Sequence, residues 1–115
     1  MKDMQAKVAD AMYRQCHRRG FAAPVDVFMD IGVLDKARYD DWRMGRVPFL
    51  EAVCTANLHK LSEIMKEIRS YAARTGLKSS VSSYRHKGKA LRFSKTSNPK
   101  IEEAYATHYV MEGKG

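Results

Sequence analysis

The chain has 115 residues, 44% of them hydrophobic and 30% charged, with 21 Lys and Arg against 13 Asp and Glu for a net charge of +8. This composition suits one modest core and excludes a disordered chain, and no apolar run is long enough for a transmembrane helix. Two cysteines, Cys16 and Cys54, and four scattered histidines read as reduced thiols and isolated imidazoles rather than a disulfide or a metal site. The segment MKDMQAKVAD lacks the apolar stretch of a signal peptide, so the expected location is cytoplasmic.

Residues 3–19 read as a helix. Val8, Met12 and Gln15-Cys16 recur at helical spacing, His17, Arg18 and Arg19 suit the negative end of the dipole, and Gly20 suits a left-handed cap. Pro24 opens a second, short helix ending at Gly32, with Val25, Phe28 and Met29 on one face. A third helix follows, with Asp35 as N-cap, Tyr39 and Trp42 one turn apart, and Gly45 as its close.

The fourth helix is expected to be the longest, from about residue 48 to 75 with Gly76 as cap. Leu50, Cys54, Leu58, Leu61, Met65, Ile68 and Ala72 step by three and four along it. At about 1.5 Å per residue it would be a rod of roughly 40 Å, read as a central core helix, with the competing reading that part of its stripe forms a homodimer seam.

Beyond Gly76 the composition turns to Ser, Val and Tyr. Val81, Leu91 and Phe93 around Gly88 predict a basic β-hairpin over about 78–96. Asn98 and Pro99 begin a C-terminal helix over about 99–110, with Ile101, Ala104, Tyr105, His108 and Tyr109 on one stripe, and residues 111–115 form a frayed tail. The expected fold is α+β, mostly α, in a single domain spanning 1–115. Its helical part is 1–76, and the hairpin with its closing helix is 77–110.

Charge is unevenly placed. Between Glu67 and Glu102 the 34 residues carry nine Lys and Arg and no acid, which leaves 12 basic against 13 acidic residues elsewhere. A near-neutral body with one strongly basic stretch points to a polyanion, DNA or RNA. The hairpin supplies Lys78, Arg85, Lys87, Lys89, Arg92 and Lys95 for phosphate contact, serine hydroxyls at 79, 80, 82 and 83, and Tyr84 to stack on an unpaired base. The competing reading is a solvated wing whose lysines protect a strand edge.

A second candidate surface lies at residues 24–53. Two short helices joined at Gly32, followed by WRMGRVPFLEAV, resemble helix-turn-helix domains of the Cro and phage-repressor type, the match lying in Trp42, Gly45, Arg46, Pro48 and Leu50. The resemblance implies that Lys36, Arg38, Arg43 and Arg46 meet phosphates or base edges. Trp42 falls one residue later than the family pattern places it, and Asp35, Asp40 and Asp41 share the presumed recognition helix. The alternative is a helical packing corner anchored by Trp42. The chain as a whole resembles short bacterial proteins without an assigned activity.

Tyr84, His86 and Arg92 are the only acid-base grouping the hairpin offers, and no phosphate loop, nucleophile elbow or carboxylate pair accompanies them. No catalytic, metal or cofactor site is assigned, and no membrane or small-molecule partner is expected. The function expected from sequence is a small basic nucleic-acid-binding protein, a bacterial or phage-type DNA regulator. The alternatives are an interaction or structural module with an acidic partner and, third, a small ribonuclease.

Overall fold

A computed structural model describes residues 2–111. Helix α1 spans Lys2–Arg19 and ends at Gly20, whose φ of 88° is the left-handed conformation expected there. Strand β1 (Phe21–Ala22) leads into α2 (Pro24–Asp30), and after the Gly32 turn α3 covers Lys36–Arg43. Gln15, fully buried on α1, holds this corner together. Its Oε1 accepts from Ala23 N and Arg19 Nη2, both at 3.0 Å, and its Nε2 donates to Asp30 at 2.9 Å. A buried amide with its hydrogen-bonding groups engaged fixes the angle between α1 and α2 rather than penalising it.

The long fourth helix is interrupted. Leu50–Val53 form one 3₁₀ turn, Cys54 is extended with ψ of 143°, and α4 begins only at Leu58 and runs to Thr75, about 27 Å. One long-range and one local contact mark the break. The Leu50 and Glu51 N–H groups donate to the carbonyls of Arg92 and Phe93, at 3.1 and 3.0 Å, instead of joining a helical ladder. Asn57 then starts the helix afresh, its side chain accepting from Lys60 N at 2.8 Å. From Leu61 onward the expected stripe is buried, with Leu61, Ile64, Met65, Ile68 and Ala72 in the core and α1 packed along α4.

The expected 78–96 hairpin and 99–110 helix are both redrawn by one strand. Helix α5 stops at Ala106, after which β5 (Thr107–Val110) runs between two partners. It pairs antiparallel with β1, Phe21 opposite Val110, and with β2 (Lys78–Val81), Lys78 opposite Val110 and Val81 opposite Thr107. Thr107, His108, Tyr109 and Val110 are β-branched or aromatic except for the histidine, and their alternating burial suits a strand with one packed face. The hairpin shrinks to β3 (Arg85–His86) and β4 (Lys89–Ala90). Its two central residues, Lys87 and Gly88, both have positive φ, 52° and 81°, as a type I′ turn requires. Leu91 and Phe93 lie outside any strand. Met111, expected in the tail, donates its N–H to Gly20 O at 2.9 Å, and residues 112–115 lie outside the described residues.

The fold is therefore α+β and mostly α, a helical body with small antiparallel sheets of order β1-β5-β2 and β3-β4. Among the described residues no helix is long and apolar enough to cross a membrane.

Residues 91–95 lie outside any strand, and side chains join the backbone bonds from Leu50 and Glu51 in holding them. Glu102 on α5 accepts from Phe93 N, Ser94 N and Ser94 Oγ at 2.6–3.2 Å, and Ser94 is only 2% exposed. Replacing Glu102→Ala leaves two backbone donors in a largely buried place without an acceptor. It is expected to lower the unfolding free energy by about 2–3 kcal/mol in urea titration, well beyond an exposed-glutamate substitution such as Glu103→Ala.

Candidate nucleic-acid interface

Trp42, fully buried near the end of α3, is the centre from which the candidate surface is built. Its ring lies 5.5 Å from Tyr84 and 5.1 Å from Phe93, and its Nε1–H donates to Arg92 O at 2.7 Å. The end of α3 is thereby tied to the segment carrying the basic hairpin. The two meet again at Gly45, where a Cβ would sit 3.2 Å from His86 Cδ2. The two surfaces expected from sequence are neighbours.

Their charges differ in availability. On α3, Lys36 pairs with Asp40 at 2.7 Å, and just beyond it Arg46 pairs with Asp41 at 3.3 Å. Arg43 lies over the Tyr84 ring, its Cζ 5.2 Å from the centroid, with Nη1 buried and without a hydrogen-bond partner. Arg38 is exposed and makes no ion pair among the described residues. In the hairpin Lys87 and Lys89 are exposed, and Arg85 reaches only Ser83 Oγ at 2.9 Å and Gly88 O at 3.1 Å. Arg92 binds the carbonyls of Ser94 and Lys95 and lies over Phe49. None of Arg85, Lys87, Lys89, Arg92 and Lys95 joins an ion pair among the described residues, where the four present fall between Asp10 and Arg46.

Two expected members sit elsewhere. Lys78 is at the start of β2, in the three-stranded sheet and not in the hairpin. Tyr84 does not present a free face to a base. It packs against Trp42, Phe93 and Arg43, and its hydroxyl lies 3.0 Å from His108 Nε2. His108, Arg19, Phe21 and Asp26 were not singled out as neighbours by sequence. Phe21 stacks on His108 at 5.1 Å, the Arg19 guanidinium lies 4.1 Å above Phe21, and Arg19 pairs with Asp26 at 2.6 Å. Arg19, Phe21 and Asp26 meet locally at the α1–β1–α2 corner, and the β1–β5 pairing brings His108 to them.

Burial, and secondarily the Arg19 charge, pushes His108 below the usual imidazole range. Burial pushes Tyr84 above the usual phenol range. Both groups are thus neutral near pH 7, and the hydrogen bond between the Tyr84 hydroxyl and His108 Nε2 joins two uncharged groups, its direction set by the imidazole tautomer. Elsewhere Cys16 is buried and Cys54 half-buried, and burial, helped by the nearby Glu51 carboxylate, raises the Cys54 thiol to about 12. Among the described residues no three His, Cys, Asp or Glu side chains converge as a metal site would need. No family model, curated protein or solved structure matches the chain.

Two outcomes follow from this geometry. Gly45 has a φ of 74° as well as the close His86 ring, so Gly45→Ala is expected to cost about 1–2 kcal/mol in denaturant and to shift the β3–β4 amide resonances. Because His108 is held neutral, the unfolded chain binds a proton there more readily than the folded one. Its contribution to stability is full above the unfolded imidazole value and falls as pH drops through the lower folded value. Melting temperature measured from pH 7.5 to 5 should decline, and His108→Gln should flatten that part of the decline.

Proposed function

We propose that the protein binds nucleic acid through the β3–β4 hairpin, by contacts to phosphate. The observation that carries this reading is that Arg85, Lys87 and Lys89 crowd one tight turn with no carboxylate paired to them among the described residues, whereas Lys36 and Arg46 are matched by neighbouring aspartates. Unmatched cations on a short protruding turn exchange counterions for phosphates at little internal cost. A two-stranded ribbon also fits a groove or tracks a backbone.

Tyr84 contributes as an anchor under the hairpin rather than as a stacking surface, since its ring is packed and its hydroxyl engaged. Binding is therefore read as phosphate-led, with Arg92 beside the turn as a supporting contact. The helix-turn-helix reading places the contact on α3 instead, where among the described residues Arg38 and Arg43 join no ion pair, and of these Arg38 is exposed while Arg43 lies against Tyr84. The shared chemistry is a polyanion, and it does not distinguish DNA from RNA.

The test is fluorescence anisotropy with labelled duplex DNA, duplex RNA and single-stranded RNA over a salt series. Affinity is expected to fall steeply with salt, and the Arg85→Ala, Lys87→Ala, Lys89→Ala triple variant should lower the duplex log–log slope by about 3. A Lys36→Ala, Arg38→Ala, Arg46→Ala variant should change it by about 1 or less. The reverse ranking of the two variants would move the interface to α3. If neither variant alters binding, or if no probe binds at 50 mM salt, the nucleic-acid reading is wrong.

A further inference from the structure

A groove of about 360 Å³ runs between α4 and α5, away from the residues of the hairpin turn. Leu58, Ser62, Met65 and Arg69 line it from α4, at a helical spacing of four, three and four, and Ile101 and Ala104 face them from α5. This stripe runs beside the one buried in the core and shares Met65 with it. It leaves Leu58 59% and Ile101 42% exposed, two of the five large hydrophobic side chains so exposed among the described residues. From Leu58 to Arg69 the stripe runs three turns, about 16 Å.

The rim is cationic. Arg69, Lys95 and Lys100 border the groove, and none joins an ion pair among the described residues. The one acid in the lining, Glu51, is engaged on both oxygens, accepting from Lys95 N at 3.0 Å and from the Tyr105 hydroxyl at 2.8 Å.

We infer that this groove docks an acidic amphipathic helix of a partner protein. An apolar floor of Leu58, Met65, Ile101 and Ala104, about two turns long and edged by basic residues, is complementary to a helix whose apolar residues recur at i, i+3 or i+4 and i+7 with Glu and Asp alongside. A second copy of the chain is a poor occupant, because a two-fold contact would set the cations of one rim against those of the other. Nucleic acid is a poor occupant because a phosphate backbone leaves Leu58 and Ile101 in water. A small amphiphile would bury too little of itself in a groove open to solvent, since ligand pockets enclose roughly 70–90% of a bound molecule. The surface is separate from the hairpin turn, so either proposal stands without the other.

Three designed peptides of about 14 residues test it on the full-length protein: an acidic amphipathic helix with Leu at the anchor spacing, the same composition scrambled, and a counterpart with Lys for Glu. Binding is read by anisotropy and by amide and methyl NMR shifts. The acidic helix should bind roughly tenfold more tightly than either control, with shifts centred on Leu58, Met65, Ile101 and Ala104. The exposed double substitution R69E/K100E should weaken it roughly tenfold and favour the Lys peptide, while leaving the spectrum of the free protein folded. Equal binding of the scrambled or Lys peptide, shifts centred on residues 85–89, or no binding at millimolar peptide would overturn the assignment. So would dodecanoate perturbing the groove methyls at lower concentration than the acidic peptide.

Discussion

The backbone of residues 91–95 has neither helix nor strand to satisfy it, and the arrangement of the molecule follows from how that is solved. The Arg92 carbonyl takes two donors, Leu50 N–H and Trp42 Nε1–H. The Phe93 carbonyl takes Glu51 N–H, and the Phe93 and Ser94 N–H groups go to the Glu102 carboxylate. Lys95 N–H goes to Glu51. One irregular stretch is thus bound to α3, to the 3₁₀ turn and to α5. A buried peptide group left unpaired costs about 1–3 kcal/mol, so these bonds act as a constraint on three elements at once.

The same bonds explain why the basic segment stays basic. The two carboxylates that reach its backbone, Glu51 and Glu102, are directed at N–H groups and at Tyr105, not at its Lys and Arg side chains. The cations are left to face outward. On α3 the opposite holds: Asp40 lies four residues after Lys36, and Asp41 five before Arg46, so local spacing alone permits pairing. Two stretches of similar positive content therefore present different charge to solvent.

What could be read from sequence divides along the same line between local and non-local causes. Helix α1 with Gly20, α2 with Pro24, and the Gly76 and Asn98 caps are each specified by residues within one turn, and all appear where expected. The break at residues 50–57 was hidden because Leu50, Cys54 and Leu58 keep helical spacing, and the competing acceptors, the carbonyls of Arg92 and Phe93, lie over 40 positions away. Strand β5 was hidden for a related reason. Tyr105, His108 and Tyr109 fit a helical stripe as well as THYV fits a strand, and the pairing with β1 and β2 decides between them. In the candidate interface the cations were legible as composition. Which of them are neutralised, and that Tyr84 is covered, depended on contacts made by α3 and β5.

Position along the stitched stretch also separates the two proposed surfaces. Before Leu91 the chain projects as the β3–β4 turn, where backbone groups bond within the hairpin and side chains are mostly polar and exposed. After Ser94 it passes between the 3₁₀ turn and α5, where Lys95 joins Lys100 and Arg69 along an apolar floor. A cation on a solvated turn interacts with phosphate mainly through long-range field and counterion release. A cation at the margin of an apolar strip acts at short range, selecting the charge of whatever covers the strip. The nine positive charges of the acid-free segment are therefore not one patch with one role. The hydrogen bonds to Glu51 and Glu102 separate Arg85, Lys87 and Lys89 on the proposed polyanion-binding turn from Lys95, Lys100 and Arg69 at the proposed docking groove, while Arg74 lies over Tyr71 and Lys78 begins β2.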